Sequence, residues 1–515
     1  MASHPIPEGA GPSSDPIDPL VDVPHILRKV DRRLIPLLFV TYLLNFMDKA
    51  ILSSASVFGL TEDTHLEGQQ YSWVSSIFYF GYFFWEGPTN WLIPRVPVAQ
   101  YLAFNTLFWG AVVLLTAACS NYGGLLAVRF LLGIAEATIT PAFMFITSTW
   151  YTRDEIPTRT GLWFSGNSVG GLVASLLAYG IGHIPHPLHP WQWMFLILGA
   201  ATFLWGFVLW ALLPDNISSA KFLTPSERDL MAHRAVIAGT GRTAHTSWKW
   251  PQFRECLRDP KTWLLFALTL LTQIPNGGTQ NFGNLVIKSF GFTSLQSTLI
   301  VIPASVISAA TITLTGWWAG KSQKMNCLLI IFVVALSIVG SAMIYARAHP
   351  VPRGAQLFGY FLLSTGPGAL PLMMSLLQAN YRGVTKKMTV TAMIFVAYCA
   401  GNIAGPQLFK ASEAPVYQTS FQAIMICYVI SAGLAMVLRG YLGWLNAKRE
   451  RDEGVAGDAG LAGVVGGKVV GVGAGGSAGT AAGRDVSVLV QSVELLPEDY
   501  EDVTDWNTVG FRYRL

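Results

Sequence analysis

Apolar residues gather in twelve runs, each long enough to cross a bilayer as a helix of roughly 20 residues. They lie near 34–57, 71–94, 101–119, 123–150, 160–182 and 191–213, then near 262–287, 295–319, 325–346, 355–380, 388–409 and 417–444. Six runs, a polar linker and six more predict an all-α polytopic membrane protein. Its 12 transmembrane helices would form two pseudo-symmetric six-helix bundles. The expected divisions are an N-terminal segment 1–33, a first bundle 34–213, a linker 214–261, a second bundle 262–444 and a tail 445–515. Residues 454–483 are rich in Gly, Ala and Val, so the tail is expected to be largely disordered.

The same pattern carries an internal repeat. Gly166-Asn167-Ser168-Val169-Gly170 lies in the fifth run, and Gly401-Asn402-Ile403-Ala404-Gly405 lies in the eleventh, half a protein later. Two related bundles would leave such a trace, although small residues four apart recur wherever helices pack closely. The repeat reading is favoured, and it gives Asn167 and Asn402 a structural or gating role.

Composition agrees with a membrane class. The 515 residues are 52% hydrophobic and 12% charged, against about 25% charged in soluble domains. Of the 34 Lys and Arg, 28 fall on one side of the predicted membrane, counting Arg439 at that end of the twelfth run. Basic residues mark the cytoplasmic side, so both termini and the linker are expected there, and the sequon Asn216-Ile217-Ser218 in the linker is expected to stay unglycosylated. The plasma membrane is the expected location. The five cysteines are scattered without a paired spacing, so neither disulfides nor structural zinc is expected. His183, His186 and His189 recur among prolines and read as an exposed outer loop rather than a metal site. No cofactor, metal, nucleic acid or partner subunit is expected; the chain should work as a monomer in the lipid bilayer.

Candidate chemistry comes from charges inside the apolar runs, where they are expensive and kept for function. Well inside the runs these are Asp48, Lys49, Glu86, Arg129 and Glu136, all in the first half; Arg439 stands near the inner end of the twelfth run. Arg129 and Glu136 are seven residues apart and share a helix face. At 1.5 Å per residue, Arg129 and Lys49 lie about 9–12 Å below the outer surface, and Glu86 and Glu136 about 20–22 Å. Two cations above two carboxylates predict a site that binds a small organic anion and carries protons. Lys49 and Arg129 are the expected anion ligands, Glu136 and Glu86 the proton carriers, and Asp48 a structural or gating group. In the seventh run, Pro275-Asn276-Gly277-Gly278 is expected to break the helix, so that Asn276, Gln280 and Asn281 contact the substrate.

Several stretches resemble a known family. They are Asn45-Phe46-Met47-Asp48-Lys49, YSWVSSIFYFGYFFWEGPTN, RFLLGIAEA, IPNGGTQNFGNLVIKSFGF, GNIAGPQLF and the terminal TDW…FRYRL. Together they resemble the fungal allantoate permease-like branch of the anion:cation symporter family, within the major facilitator superfamily. The resemblance implies the major facilitator fold and proton-coupled uptake of an organic anion such as allantoate, ureidosuccinate, a dipeptide or a vitamin carboxylate. The alternative is a proton-antiporting exporter of a secondary metabolite or drug. Exporters of the superfamily carry GxxxGP in the fifth span, whereas here the Pro stands in the eleventh. Lys49 replaces the Arg of many relatives, exchanging a planar fork for a point charge. No catalytic cluster is present, and an enzyme is not expected.

Overall fold

A computed structural model describes residues 23–152, 155–184, 187–237, 248–322, 324–346, 352–464, 504–508 and 511–515. The sequence expectations for 1–22, 238–247, His186 and 465–503 lie outside these residues. Helices account for the fold. In the first half they are α1 (Val23–Val57), the short α2 (Leu60–Asp63), α3 (Gln70–Leu92), α4 (Val98–Thr116), α5 (Tyr122–Glu136), α6 (Ile139–Trp150), α7 (Ile156–Phe164), α8 (Gly166–Ile181) and α9 (Pro190–Leu212). The linker supplies α10 (Pro225–Ile237) and α11 (Trp250–Arg258). The second half holds α12 (Pro260–Ser289), α13 (Ser294–Lys321), α14 (Asn326–Tyr345), α15 (Arg353–Leu363), α16 (Ala369–Asn380), α17 (Val384–Gln407) and α18 (Gln418–Val464).

These make twelve membrane-crossing rods, because α5 with α6, α7 with α8, and α15 with α16 each complete one crossing. Ten rods are long and apolar enough to span by composition alone. The other two, α3 and α12, are the polar ones, and they face each other's half across the centre. Each half repeats one packing plan. In the first, α1 packs on α8, α3 on α5 and α4 on α9; in the second, α12 packs on α17, α13 on α16 and α14 on α18. Between halves, α8 meets α13, α3 meets α17 and α1 meets α12.

The Gly-Asn-x-x-Gly repeat explains two of these seams. A Cβ on Gly170 would stand 2.7 Å from the Leu43 carbonyl oxygen of α1, and one on Gly405 would stand 2.3 Å from the Ile274 oxygen of α12. Only hydrogen fits there, so the fifth and eleventh spans sit on the first and seventh at backbone contact. The expected break at Pro275 does not occur: α12 runs through it. Gly277 and Gly278 serve the α17 seam instead, where a Cβ would come within 2.7 Å of Asn402 and 2.6 Å of Phe409.

Hydrogen bonds between the halves gather at one end among the described residues. Ser76 donates to the Ile403 carbonyl at 2.7 Å, Tyr71 to the Asn281 carbonyl at 2.9 Å, and Ser294 to the Val57 carbonyl at 2.8 Å. All lie at the end remote from the linker. At the linker end the halves part around a cavity of about 2800 Å³. The linker itself is fastened by ion pairs, Lys29 to Glu227 at 2.9 Å and Arg234 to Glu155 at 2.7 Å. Partial burial opposes ionisation of Glu155, but its bond with Arg234 prevails and holds its carboxyl below the ordinary value. The tail departs from the expected disorder in two places. Helix α18 continues to Val464, and Asp505 and Tyr513 are buried against the second half.

Candidate functional site

Glu136 is the last residue of α5, at the break before α6. That break frees backbone groups at mid-membrane, and the chain supplies partners for them. Asn105 donates to the Ala135 carbonyl, and Thr138 sits in a hydroxyl cluster with Thr89 (3.1 Å) and Tyr101 (3.3 Å). Glycines then bring α5 against α3: a Cβ on Gly133 would lie 2.0 Å from the Phe78 oxygen. The result pushes Glu136 towards α1.

There it meets Lys49. The Lys49 ammonium is 3.2 Å from Glu136 Oε2, and the side chains are 17% and 0% exposed. Asn45, one turn before Lys49, bridges them: its Nδ2 donates to Glu136 Oε2 at 2.8 Å, and its Oδ1 accepts from Lys49 Nζ at 2.9 Å. Lys49 also lies over the rings of Phe78 and Tyr82, at 5.8 and 5.7 Å. It therefore faces two ways, with the buried carboxylate behind it and the cavity before it.

Arg129 and Asp48 lie behind this pair. With Lys49, Glu136, Gln280 and Asn281 they border a small void of about 20 Å³. Arg129 is 5.5 Å from the centre of the Phe195 ring. Both oxygens of Asp48, Nε and Nη2 of Arg129 and Oε1 of Glu136 are buried without a hydrogen-bond partner. The expected layering of cations over carboxylates is thus replaced by a compact cluster. The helix-face argument holds, since Arg129 and Glu136 border one void, but Arg129 does not reach the cavity.

The second half presents amides. Asn276 lines the cavity and donates to Gln273 Oε1 at 3.2 Å and to Asn402 Oδ1 at 3.1 Å. Asn402 in turn donates to Gln273 Oε1 at 3.2 Å and to the Tyr398 carbonyl at 2.8 Å. Asn167, its counterpart in the repeat, faces the cavity instead, as does Gln280. Asn281 turns to its own helix, donating to the Gly277 carbonyl at 2.8 Å, and is not on the cavity wall. Glu86 is also absent from the cavity wall; Asn90 donates to its Oε1 at 3.4 Å, and its Oε2 is buried without a partner. Of the expected substrate ligands, the structure brings Lys49, Asn276 and Gln280 to the cavity, and not Arg129 or Asn281.

Asn45, Gln273 and the chain terminus join the site without standing among the residues that the sequence singles out for it. Asn45 had a signal, its i,i+4 spacing to Lys49. The terminus had none in the apolar pattern. Yet Arg512 and Arg514 line the cavity with Lys49, Arg95, Arg382 and Lys387. Every charged side chain on the wall is basic; among the described residues no Asp or Glu lines it.

Comparison with known proteins agrees with this geometry. The family model of the Major Facilitator Superfamily matches residues 38–406. An uncharacterized transporter of Schizosaccharomyces pombe, C417.10, is 32% identical over 97% of this chain and 91% of its own length. Allantoate permease of Saccharomyces cerevisiae is 34% identical over 80% of this chain and 77% of its own length. Among solved structures, a bacterial homologue of the human lysosomal transporter Spinster, in an inward-facing and unoccupied conformation, superposes with a TM-score of 0.62. It is 16% identical and covers 81% of this chain and 98% of its own, which speaks to the fold. Two related six-helix bundles, a central cavity between them and these matches lead to one assignment: the chain belongs to the Major Facilitator Superfamily, as a multi-pass membrane transporter in a branch that includes allantoate permease, and not to the enzymes.

Proposed function

We propose that the protein is a proton-coupled importer of a small organic anion. The observation that carries this reading is the wall of the cavity, whose charged side chains are all basic and whose deepest cation, Lys49, is shared with the buried Glu136. A cavity lined by one sign of charge, with low-dielectric walls, concentrates counter-ions. Anion and Glu136 then compete for one ammonium. A carboxylate arriving from the cavity takes Lys49, and Glu136 is left as a buried charge without its partner, which is strongly unfavourable. A proton removes that charge. Anion and proton therefore enter together, and loss of either favours loss of the other. Asn276, Gln280 and Asn167 supply neutral hydrogen bonds that read the rest of the substrate. The basic bias of the linker end supports placing that end, with both termini, in the cytoplasm. Release into the cytoplasm is then the step that the open cavity represents, at the plasma membrane.

The similarity to allantoate permease supports testing allantoate first. The experiment is uptake of labelled allantoate, ureidosuccinate, nicotinate and a dipeptide into cells expressing the protein, at external pH 5 and 7. Accumulation of at least one anion, faster at pH 5, is expected. Outward transport of a preloaded compound driven by external acid would replace import by export.

A further inference from the structure

The basic residues at the cavity mouth come from distant parts of the chain. Arg382 and Lys387 stand at the start of α17, whereas Arg512 and Arg514 belong to the last four residues. Their position depends on a buried charge cluster. Asp505 pairs with Lys261 and, at 2.8 Å, with Lys386; the same lysines reach Asp259 at 2.9 and 3.1 Å. Glu255 adds a pair to Lys386 at 2.7 Å, and Tyr513 donates to Asp505 at 2.9 Å. Backbone clamps follow. Asn380 exchanges hydrogen bonds with Arg514 at 3.0 and 2.7 Å, and Asn446 exchanges a pair with Tyr513, both at 2.9 Å. Arg449 donates to the carbonyls of Asp505 at 2.6 Å and Phe511 at 3.0 Å.

Stability does not account for this cluster, because apolar residues of the same volume serve a core as well or better than buried ion pairs. Topology does not account for the two arginines either. Basic residues orient a membrane protein when they lie within about 15–20 residues of a span, and these stand at the far end of the tail. What the cluster achieves is positional. Apart from Glu255 and Asp259, on and beside the linker helix α11, the partners just named stand on helices of the second half. The terminus is therefore carried with that half and holds two guanidinium groups at the rim, that of Arg512 also 3.9 Å from the Glu450 carboxylate. Arg95 faces them from the first half.

We propose that the C-terminal segment, residues 504–508 and 511–515, is a built part of the transport path. Its Arg512 and Arg514, with Arg382 and Lys387, form a collecting site for small carboxylate anions at the cavity mouth, separate from Lys49. Guanidinium forks match carboxylates in geometry, and a basic rim raises the local anion concentration in a salt-dependent way. This deepens the anion reading of the cavity, yet it is measurable without any transport.

Gln378 is an exposed residue of the same wall, so a Gln378→Cys variant of the full chain reports the local potential. The readout is its rate of reaction with an anionic methanethiosulfonate divided by that with a cationic one, at low salt. Arg512→Gln with Arg514→Gln should lower that ratio about threefold or more, and citrate should slow the anionic reagent only while both arginines are present. Lysine at both positions should keep the ratio. Asp505→Ala, or a chain ending at residue 503, should lower it by releasing the segment with its arginines. An unchanged ratio in the double glutamine variant overturns the proposal, whether or not uptake is observed. A lowered ratio with no anion uptake would leave the collecting site standing and remove the transport reading.

Discussion

The two halves use one scaffold for different chemistry. In each, a Gly-Asn-x-x-Gly helix lies at backbone contact on the first helix of its bundle, α8 on α1 and α17 on α12. At that shared place the first half carries Asp48, Lys49, Arg129 and Glu136, buried or nearly so. The second carries Gln273, Asn276, Gln280 and Asn402. Even the repeated asparagine differs: Asn167 faces the cavity, while Asn402 is locked into the α12–α17 seam by Gln273 and Asn276. Charge can respond to a proton and amides cannot. On this account the first half couples and the second half recognises.

Removing the charge on the coupling side should have the largest effect. Lys49 is the salt-bridge partner of Glu136 among the described residues and the deepest cation on the wall. Lys49→Gln should cut the initial uptake rate by more than about a hundredfold, since breaking a buried pair costs about 3–5 kcal/mol and each 1.4 kcal/mol is about tenfold in rate. Lys49→Arg keeps the charge and should retain most of the activity or alter which anion is preferred. The rates are read with labelled allantoate and normalised to surface protein. A glutamine variant as active as the parent would erase the distinction between the halves.

A smaller and different change is expected across the cavity. Asn276→Ala removes the donor to Asn402 and Gln273 and one wall contact. At about 1 kcal/mol per hydrogen bond, the half-saturation concentration should rise roughly fivefold to tenfold. The pH dependence of uptake should stay as in the parent. If Asn276→Ala shifted that dependence instead, coupling would not be confined to the first half.

The shared seams can be compared directly. Gly405→Ala places a Cβ closer to backbone than Gly170→Ala, 2.3 against 2.7 Å. Overpacking costs about 1–3 kcal/mol, so both should lower the melting temperature in detergent by several degrees, Gly405→Ala by more. Equal or absent shifts would mean that the seams relax freely.

The smallest effect concerns the tail. Burial alone would raise the Asp505 carboxyl, but Lys261 and Lys386 overcome it and hold it below its ordinary value. A lowered folded value means that its contribution is complete above the unfolded value, about 3.9, and fades as pH falls through the folded one. Protease protection of the terminus should therefore be constant from pH 5 to 8 and decline only in stronger acid. Release between pH 5 and 7 would show that another group controls docking.

Much of this was legible in the sequence, for physical reasons. Apolar run length fixed the number of crossings, and the cost of intramembrane charge pointed to Lys49 and Glu136. Residue position along a helix gives the depth of its backbone alone, whereas the long Lys49 side chain reaches Glu136 across the expected separation. Pro275 looked like a break, since local propensity cannot register that Gly277 and Gly278 are filled by α17. Pairing of Asp505 with Lys261, 244 residues away, leaves no periodic trace in one sequence, so the terminus was invisible as part of the site.

The central claim is that Glu136 carries the proton that accompanies the anion. It is tested most directly in proteoliposomes, with an imposed pH gradient and a labelled anion that the parent transports. Glu136→Gln should abolish accumulation against the anion gradient while preserving one-for-one exchange of labelled for unlabelled anion. If Glu136→Gln still concentrates the anion when a proton gradient is the sole driving force, the account is contradicted.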